Sequence, residues 1–345
     1  MSMNMMRCLR PTLALLVALA AAPAHADAAA DFYKGKTLSL VISSSSGGGY
    51  DTLGRVVARY IGNHIPGHPT VVVRNMPGAG GIVATNYLYN SAVKDGTTFG
   101  LVQNNTPFEP LFGTKEAAYD SAKFNWLGAP SSEIGILAIW NTVPVNSIAD
   151  AKTHEITVGS SGANSTPSFY ARLLNATLGT KLKIVVGYPG QAEAFLAMER
   201  QEIDGYPSIF YNSLMATKPT WVADKKIKLL VQYGAAPEPE IADVPFAPDL
   251  VSNPDDKRML QTAFAPLALG RPFLMPPDVP ADRVATLRQA LADTFKDPDF
   301  LAETDKLQLG VKNPRSGDEI AAEVARAYQT PPQIVERLRV LAQGQ

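Results

Sequence analysis

Short apolar runs rich in β-branched residues recur along the chain, each followed by a polar or glycine-rich turn and then by a stretch with helical spacing. Thr37–Ile42 predicts a buried strand, Asp51–Ile61 a helix and Thr70–Arg74 a second strand. The turn Met76–Gly81 leads into a helix ending near Asn90, and Asp95-Gly96 turns into a third strand over Thr97–Val102. Parallel neighbours need a helical crossover, so these units predict a lobe built on a mostly parallel sheet flanked by helices. The pattern then restarts. Glu155–Gly159 reads as a strand, Ser160–Ser165 as a polar loop, Pro167–Leu178 as a helix, Lys183–Val186 as a strand and Gln191–Arg200 as a helix. Ile203–Tyr206 and Ile227–Tyr233 read as further strands. The expectation is an α/β protein of two similar lobes, joined through Asn125–Trp140 and again around Val251–Pro272.

The tail is helical. Val284, Leu287 and Leu291 recur three and four apart, Asp297-Pro298 is expected to end that helix, and Glu319–Tyr328 and Gln333–Ala342 predict two more that cover the first lobe. The expected division is residues 27–130 plus 262–345 for lobe 1 and 131–261 for lobe 2. Residues 1–26 are set apart as a signal peptide: Arg7 and Arg10 precede the apolar run Leu13–Ala22, and Ala24-His25-Ala26 fits a cleavage site. The run is too short to span a bilayer and ends at Pro23, which favours export, with cleavage near Ala26, over anchoring.

That segment also holds Cys8, the single cysteine of the 345-residue chain. A mature chain without thiols excludes disulfides, cysteine-based zinc sites and cysteine nucleophiles. The 31 Lys plus Arg balance 32 Asp plus Glu, which gives no footprint for nucleic acid, and a 46% hydrophobic composition excludes disorder.

The candidate chemistry lies in two loops that each join a strand to a helix. In the first, Ser44, Ser45, Ser46, Gly47, Gly48, Gly49 and Tyr50 place hydroxyls and approachable backbone beside a helix N-terminus, an arrangement suited to an anion; a flexible connector is the alternative. In the second, Ser161, Gly162, Asn164, Ser165 and Thr166 repeat the theme, with simple helix capping as the alternative. Two such loops facing each other suit a carboxylate. Tyr188 and Tyr206, read as lying just after strands, are candidate walls of the pocket or packing beneath proline turns; Phe108 stays open in the same way.

No arginine lies inside either loop, so recognition of charge falls to amides, hydroxyls and water, with Arg55 and Arg59 read as decorating a solvated helix face. A phosphate-binding loop is excluded because no Lys-Ser or Lys-Thr follows the glycines, and a dinucleotide fingerprint fails at Val83. No Gly-x-Ser-x-Gly elbow is present, and Pro66-Gly67 separates His64 from His68. No catalytic residue, metal or cofactor is therefore assigned.

Gly47-Gly-Gly-Tyr-Asp51, then Val71-Val-Val-Arg-Asn-Met-Pro-Gly-Ala-Gly-Gly81, then Lys94-Asp-Gly-Thr-Thr98 resemble, in that order, motifs of the tripartite tricarboxylate transporter substrate-binding proteins, the TctC-like Bug receptors. Arg271-Pro-Phe-Leu-Met-Pro-Pro-Asp-Val-Pro-Ala-Asp-Arg283 resembles the stretch that leads into their C-terminal helices. The resemblance implies a two-lobed periplasmic binding protein fold and a monomer that captures a small organic acid in the cleft between lobes. It further implies delivery to the membrane permease subunits of a tripartite carrier. Carried over by position, the family's grip on a carboxylate falls on Ser44 through Gly49 and on Ser161, Gly162, Ser165 and Thr166, while Tyr188 matches the aromatic of a Tyr-x-Gly turn. Pro167-Ser168 stands where a histidine is frequent, Gly187-Tyr-Pro-Gly190 replaces Pro-Tyr-Lys-Gly, and Asn164 replaces a glycine. These departures mark a divergent subfamily whose ligand does not carry over. The competing readings are an exported ligand sensor serving a sensor kinase and an exported α/β hydrolase; the hydrolase lacks a nucleophile with a base.

Overall fold

A computed structural model describes residues 29–344 apart from Asn164 and Pro189; the expected signal peptide, with Cys8, lies outside this range. The chain opens with β1 (Thr37–Ile42), α1 (Gly49–His64), β2 (Thr70–Asn75), α2 (Ile82–Asn90), β3 (Thr98–Leu101) and β4 (Asn125–Ala129). It crosses to β5 (Gly135–Trp140), β6 (Glu155–Ser160), α3 (Thr166–Leu178), β7 (Lys181–Val186), α4 (Gln191–Glu199), β8 (Gly205–Phe210), α5 (Tyr211–Thr217) and β9 (Ile227–Tyr233). It returns through α6 (Pro254–Leu269) to β10 (Phe273–Met275), α7 (Ala281–Thr294), α8 (Pro298–Lys306), β11 (Arg315–Ser316), α9 (Gly317–Tyr328) and α10 (Pro332–Gln343).

Two mixed sheets result. The first has the order β11-β4-β10-β3-β1-β2, with β1 parallel to β2 and β3, and β10 and β11 antiparallel to their neighbours; the second has the order β7-β6-β8-β5-β9, with β5 antiparallel to β8 and β9. Strand alternation sets the layers. In β1, Leu38, Leu40 and Ile42 enter one core with α1 and α7, while Val41 joins α2 and α9 on the other face. In β5, Leu137 and Ile139 face α3 and α6, while Ile136 and Ala138 face α4.

The expected joints prove to be structured. Asn125–Trp140 contains one strand of each sheet, so the first crossover is confined to residues 130–134, and α6 fills most of the returning stretch. α6 serves both lobes: Met259, Leu260 and Phe264 pack in the second-lobe core, while Ala265, Ala268 and Leu269 pack in the first. Phe264 stacks on Tyr233 at 4.3 Å between centroids, and Tyr170 meets both rings edge-on. At its end Gly270 adopts a positive φ of 56°, and a Cβ there would stand 1.9 Å from the Ser131 carbonyl oxygen. Only glycine lets the two crossovers touch.

Two expectations need correction and one, the break at Asp297-Pro298, is extended. Of the two tail helices expected on the first lobe, α9 packs there, but α10 sends Ile334 and Leu338 into the second-lobe core, and Arg172 of α3 bonds the Leu341 and Ala342 carbonyls at its end. Asp297-Pro298 does not merely end a helix; the Asp297 carboxylate accepts the amides of Asp299 and Phe300 and starts α8. The strand read at Ile203–Tyr206 lies later, at Gly205–Phe210, because the Asp204 carboxylate turns the chain against the amide and hydroxyl of Thr157, both at 2.7 Å. Pro207 sits inside this central strand where the pairing with β5 slips by a bulge between Ile136 and Ala138, and Tyr233 donates to its carbonyl.

Candidate functional site

The first loop is fixed from beneath. Asp51, buried on the first turn of α1, accepts the Gly47 amide at 2.8 Å, the Asn75 side-chain amide at 2.8 Å and the Arg55 guanidinium at 3.0 Å. Asn75 also donates to the Ser44 carbonyl at 3.0 Å, and Arg55 donates to the Asn75 side-chain oxygen Oδ1 at 2.9 Å. The Arg55 hydrogen bonds lead in holding the Asp51 carboxyl down at about 2, helped by the Gly47 and Asn75 donors and opposed by burial. Arg55 lies on the solvated face of α1, as expected, and from there also holds the loop, while Arg59 on the same face pairs with Glu303. His64 likewise meets Asp297 at 2.9 Å.

Above this network Ser45, Ser46, Gly47, Gly48 and Gly49 are exposed and Ser44 is half-buried. No side chain caps α1, so its first-turn amides remain for water or a ligand. Tyr50 points the other way, into the junction of the lobes: its hydroxyl donates to the Gly270 carbonyl at 3.4 Å and accepts the Asn104 amide at 3.2 Å. Burial pushes this phenol up to about 12. Arg271 lies over the Tyr50 ring, 5.7 Å from its centroid, and beside Gly49. Fold-back at Gly270 brings Arg271 to the loop from more than two hundred residues away, so an inventory of the loops' own residues missed it.

The second loop satisfies itself. Ser160 Oγ lies 2.7 Å from both Ser165 Oγ and Ser168 Oγ, and the Ser165 and Ser168 hydroxyls donate to the Gly162 carbonyl at 2.8 and 2.7 Å. Ser165 occupies the N-cap position of α3, yet its side chain does not cap the helix. Ser161 and Thr166 are exposed, Gly162 is half-buried, and Asn164 lies outside the described residues. Thr166 borders a cleft of about 510 Å³, whose walls include Asn104 and Asn105 from the first lobe and Phe169 and Phe210 from the second. Asn104 joins this cleft to Tyr50 and the first loop.

The aromatic candidates separate. Tyr188 follows β7, is half-buried and lies over Gly159, with its own amide donating to the Ser160 carbonyl at 3.1 Å. Tyr206 is not after a strand; it is the second residue of β8, 5% exposed in the α4-side core, because β8 begins and ends later than its sequence suggests. Phe108 is likewise core, 1% exposed. Among the described residues no cluster of three His, Cys, Asp or Glu side chains is placed to hold a metal ion, and no helix is long and apolar enough to cross a membrane.

Comparison with known proteins bears on this geometry. Protein BugT of Bordetella pertussis is 34% identical over 105 residues, a match that spans 30% of either chain. A TctC solute-binding protein from Polaromonas, crystallised without ligand, superposes with a TM-score of 0.70 at 19% identity, over 88% of this chain and 99% of that one. MatC of Rhodopseudomonas palustris with bound malate gives 0.56 at 19% identity, over 89% and 99%. These likenesses show the two-lobed fold of periplasmic binding proteins. Residues 54–331 match the model of the tripartite tricarboxylate transporter family receptor. The chain belongs to that family of solute-binding receptors.

Proposed function

We propose that this protein captures a small organic acid anion between its lobes in the periplasm and delivers it to the membrane permease subunits of a tripartite carrier, acting as a monomer after removal of residues 1–26. The observation that carries the reading is the exposed, uncapped start of α1 above a loop fixed by Asp51: rigid backbone donors beside a helix N-terminus favour a carboxylate. The malate in the MatC structure supports the same ligand class. The ligand contacts proposed are Ser44–Gly49 of the first loop and Ser161, Gly162, Asn164, Ser165 and Thr166 of the second, with Tyr188 at the rim; the two halves are residues 27–130 plus 262–331, and 131–261 joined by α10. Tyr50 serves the site by holding the crossover, and Tyr206 is withdrawn because its ring is core.

Capture follows from differential contact. A ligand that touches both loops only when the lobes are closed shifts the equilibrium toward closure by that difference in affinity. The test is a thermal-shift series on the chain from Asp27 with malate, succinate, adipate, citrate, benzoate and glutamate. At about 100 times its dissociation constant a ligand stabilises the fold by about 2.7 kcal/mol, and calorimetry on each acid that raises Tm then gives its affinity. No stabilisation by any acid in the series would sink the reading, and chemical conversion of a bound acid would return the hydrolase to contention.

A further inference from the structure

Arg271 stands where the two crossovers meet, immediately after Gly270. Its Nη2 lies 3.5 Å from the place a Cβ on Gly49 would occupy, and its guanidinium carbon lies over the Tyr50 ring. Its Nη1 is buried and has no hydrogen-bond partner among the described residues. Tyr50 supplies none, since its hydroxyl is directed to Gly270 and Asn104 and only the face of its ring meets the guanidinium. Glu133, on the first crossover, is near enough for Arg271 to oppose the rise that burial imposes on its carboxyl, yet the two form no hydrogen bond. A guanidinium keeps its charge at any physiological pH, so this corner of the junction holds a permanent cation with a donor unspent, next to the open N-terminus of α1.

We propose that Arg271 is a ligand-binding residue whose guanidinium donates, through the Nη2 edge that faces Gly49, to a carboxylate oxygen of the captured acid, making negative charge on the ligand a condition of capture. This rests on the reading of the chain as an organic-acid receptor and deepens it. Amides, hydroxyls and water also bind neutral carbonyl compounds, whereas a half-buried guanidinium discriminates against them, because a neutral ligand leaves its charge uncompensated. Glu133 acts in opposition: its negative charge, when present, competes with the ligand for Arg271.

Calorimetry at pH 7.5 with malate, adipate and adipamide decides the matter, using the protein alongside Arg271→Gln, Arg271→Lys and Glu133→Gln. Arg271→Gln is expected to weaken binding of whichever acid the protein takes by roughly 10- to 100-fold, the usual effect of losing a charge-assisted hydrogen bond. Arg271→Lys retains part of the affinity and Glu133→Gln tightens binding, opposite directions that general loosening of the junction does not produce. Adipamide binds the parent at least tenfold more weakly than adipate. If the parent binds an acid and both Arg271→Lys and Glu133→Gln bind it unchanged, the assignment is overturned while the receptor reading stands, and this holds even if Arg271→Gln fails to fold. If the parent binds no acid, the receptor reading fails and takes the assignment with it.

Discussion

The two loops read alike in sequence, serines and glycines between a strand and a helix, but they use their polar groups in opposite ways. The first loop is anchored by Asp51, Arg55 and Asn75 below it and by its own Tyr50 at the crossover, and leaves Ser45, Ser46 and the helix-start amides exposed. The second spends its hydroxyls internally, three serines converging on one another and on the Gly162 carbonyl. The first is therefore a rigid donor surface with charge behind it; the second is a self-contained knot from which Thr166 projects toward the interlobe cleft. Composition alone does not report which side chains a loop consumes in holding its own shape.

The largest effect should come from cutting the external anchor. Asp51→Ala removes the acceptor for the Gly47 amide, the Asn75 amide and the Arg55 guanidinium together. It should cost about 2–3 kcal/mol of stability, since buried donors are left unmet, and abolish measurable acid binding. Urea unfolding and calorimetry check the two parts. The same anchor sets an acid limit. The Asp51 carboxyl is held at about 2 in the fold, below its ordinary 3.8, so its stabilisation is complete above about pH 4 and drains as pH falls toward 2. In Tm profiles from pH 6 to 2, Asp51→Asn should start lower and lose less over that window than the parent. Parallel profiles would mean the loop does not depend on the ionised carboxylate.

Cutting the internal knot should do less to binding than to stability. Ser165→Ala removes a hydroxyl bonded to both Ser160 and Gly162 and should cost about 1 kcal/mol. Thr166→Ala touches no such network, so Tm should hold within about 0.5 kcal/mol of stability, while affinity for the acid falls roughly 2- to 10-fold, as expected for one neutral hydrogen bond. The reverse pattern, affinity carried by Ser165 and stability by Thr166, would invert the comparison.

How much of this was legible beforehand follows from the range of each interaction. The first two strand-helix units of the first lobe, its third strand and the loop-helix start at Gly48–Asp51 are local, set by β-branched runs, glycines and helical spacing, and they stand within a few residues of their expected places. The failures that displace an element or a site residue are long-range. Nothing near Tyr206 reveals that β8 bulges at Pro207-Ser208 against Leu137 of β5 and carries the strand on to Phe210. Nothing in the spacing of α10 tells which of two apolar lobes its stripe will find; Arg172, on a helix far earlier in the chain, holds its end. Arg271 was read as part of a motif leading into the tail, and only the contact of Gly270 with Ser131 turns it toward Tyr50 and Gly49.

The smallest effect concerns the distance between the loops rather than either one. Lys312, in the segment between α8 and β11 of the first lobe, donates to Glu240 of the second at 2.8 Å, and Tyr211 donates to the other Glu240 oxygen at 3.2 Å. Both charged partners are about half exposed, so the pair is worth roughly 0.2–1 kcal/mol and is screened by salt. A contact that spans the lobes without touching a ligand acts on the open-closed equilibrium alone, and apparent affinity falls by the fraction of closure-competent molecules lost. Lys312→Ala should therefore weaken every acid that binds by the same factor, less than about fivefold, and the deficit should shrink as NaCl is raised from about 0.05 to 0.5 M. Arg271→Gln, by contrast, should separate charged from neutral ligands at any salt. A Lys312→Ala deficit that differed from one acid to another would show that this edge of the molecule reads the ligand and does not merely close over it.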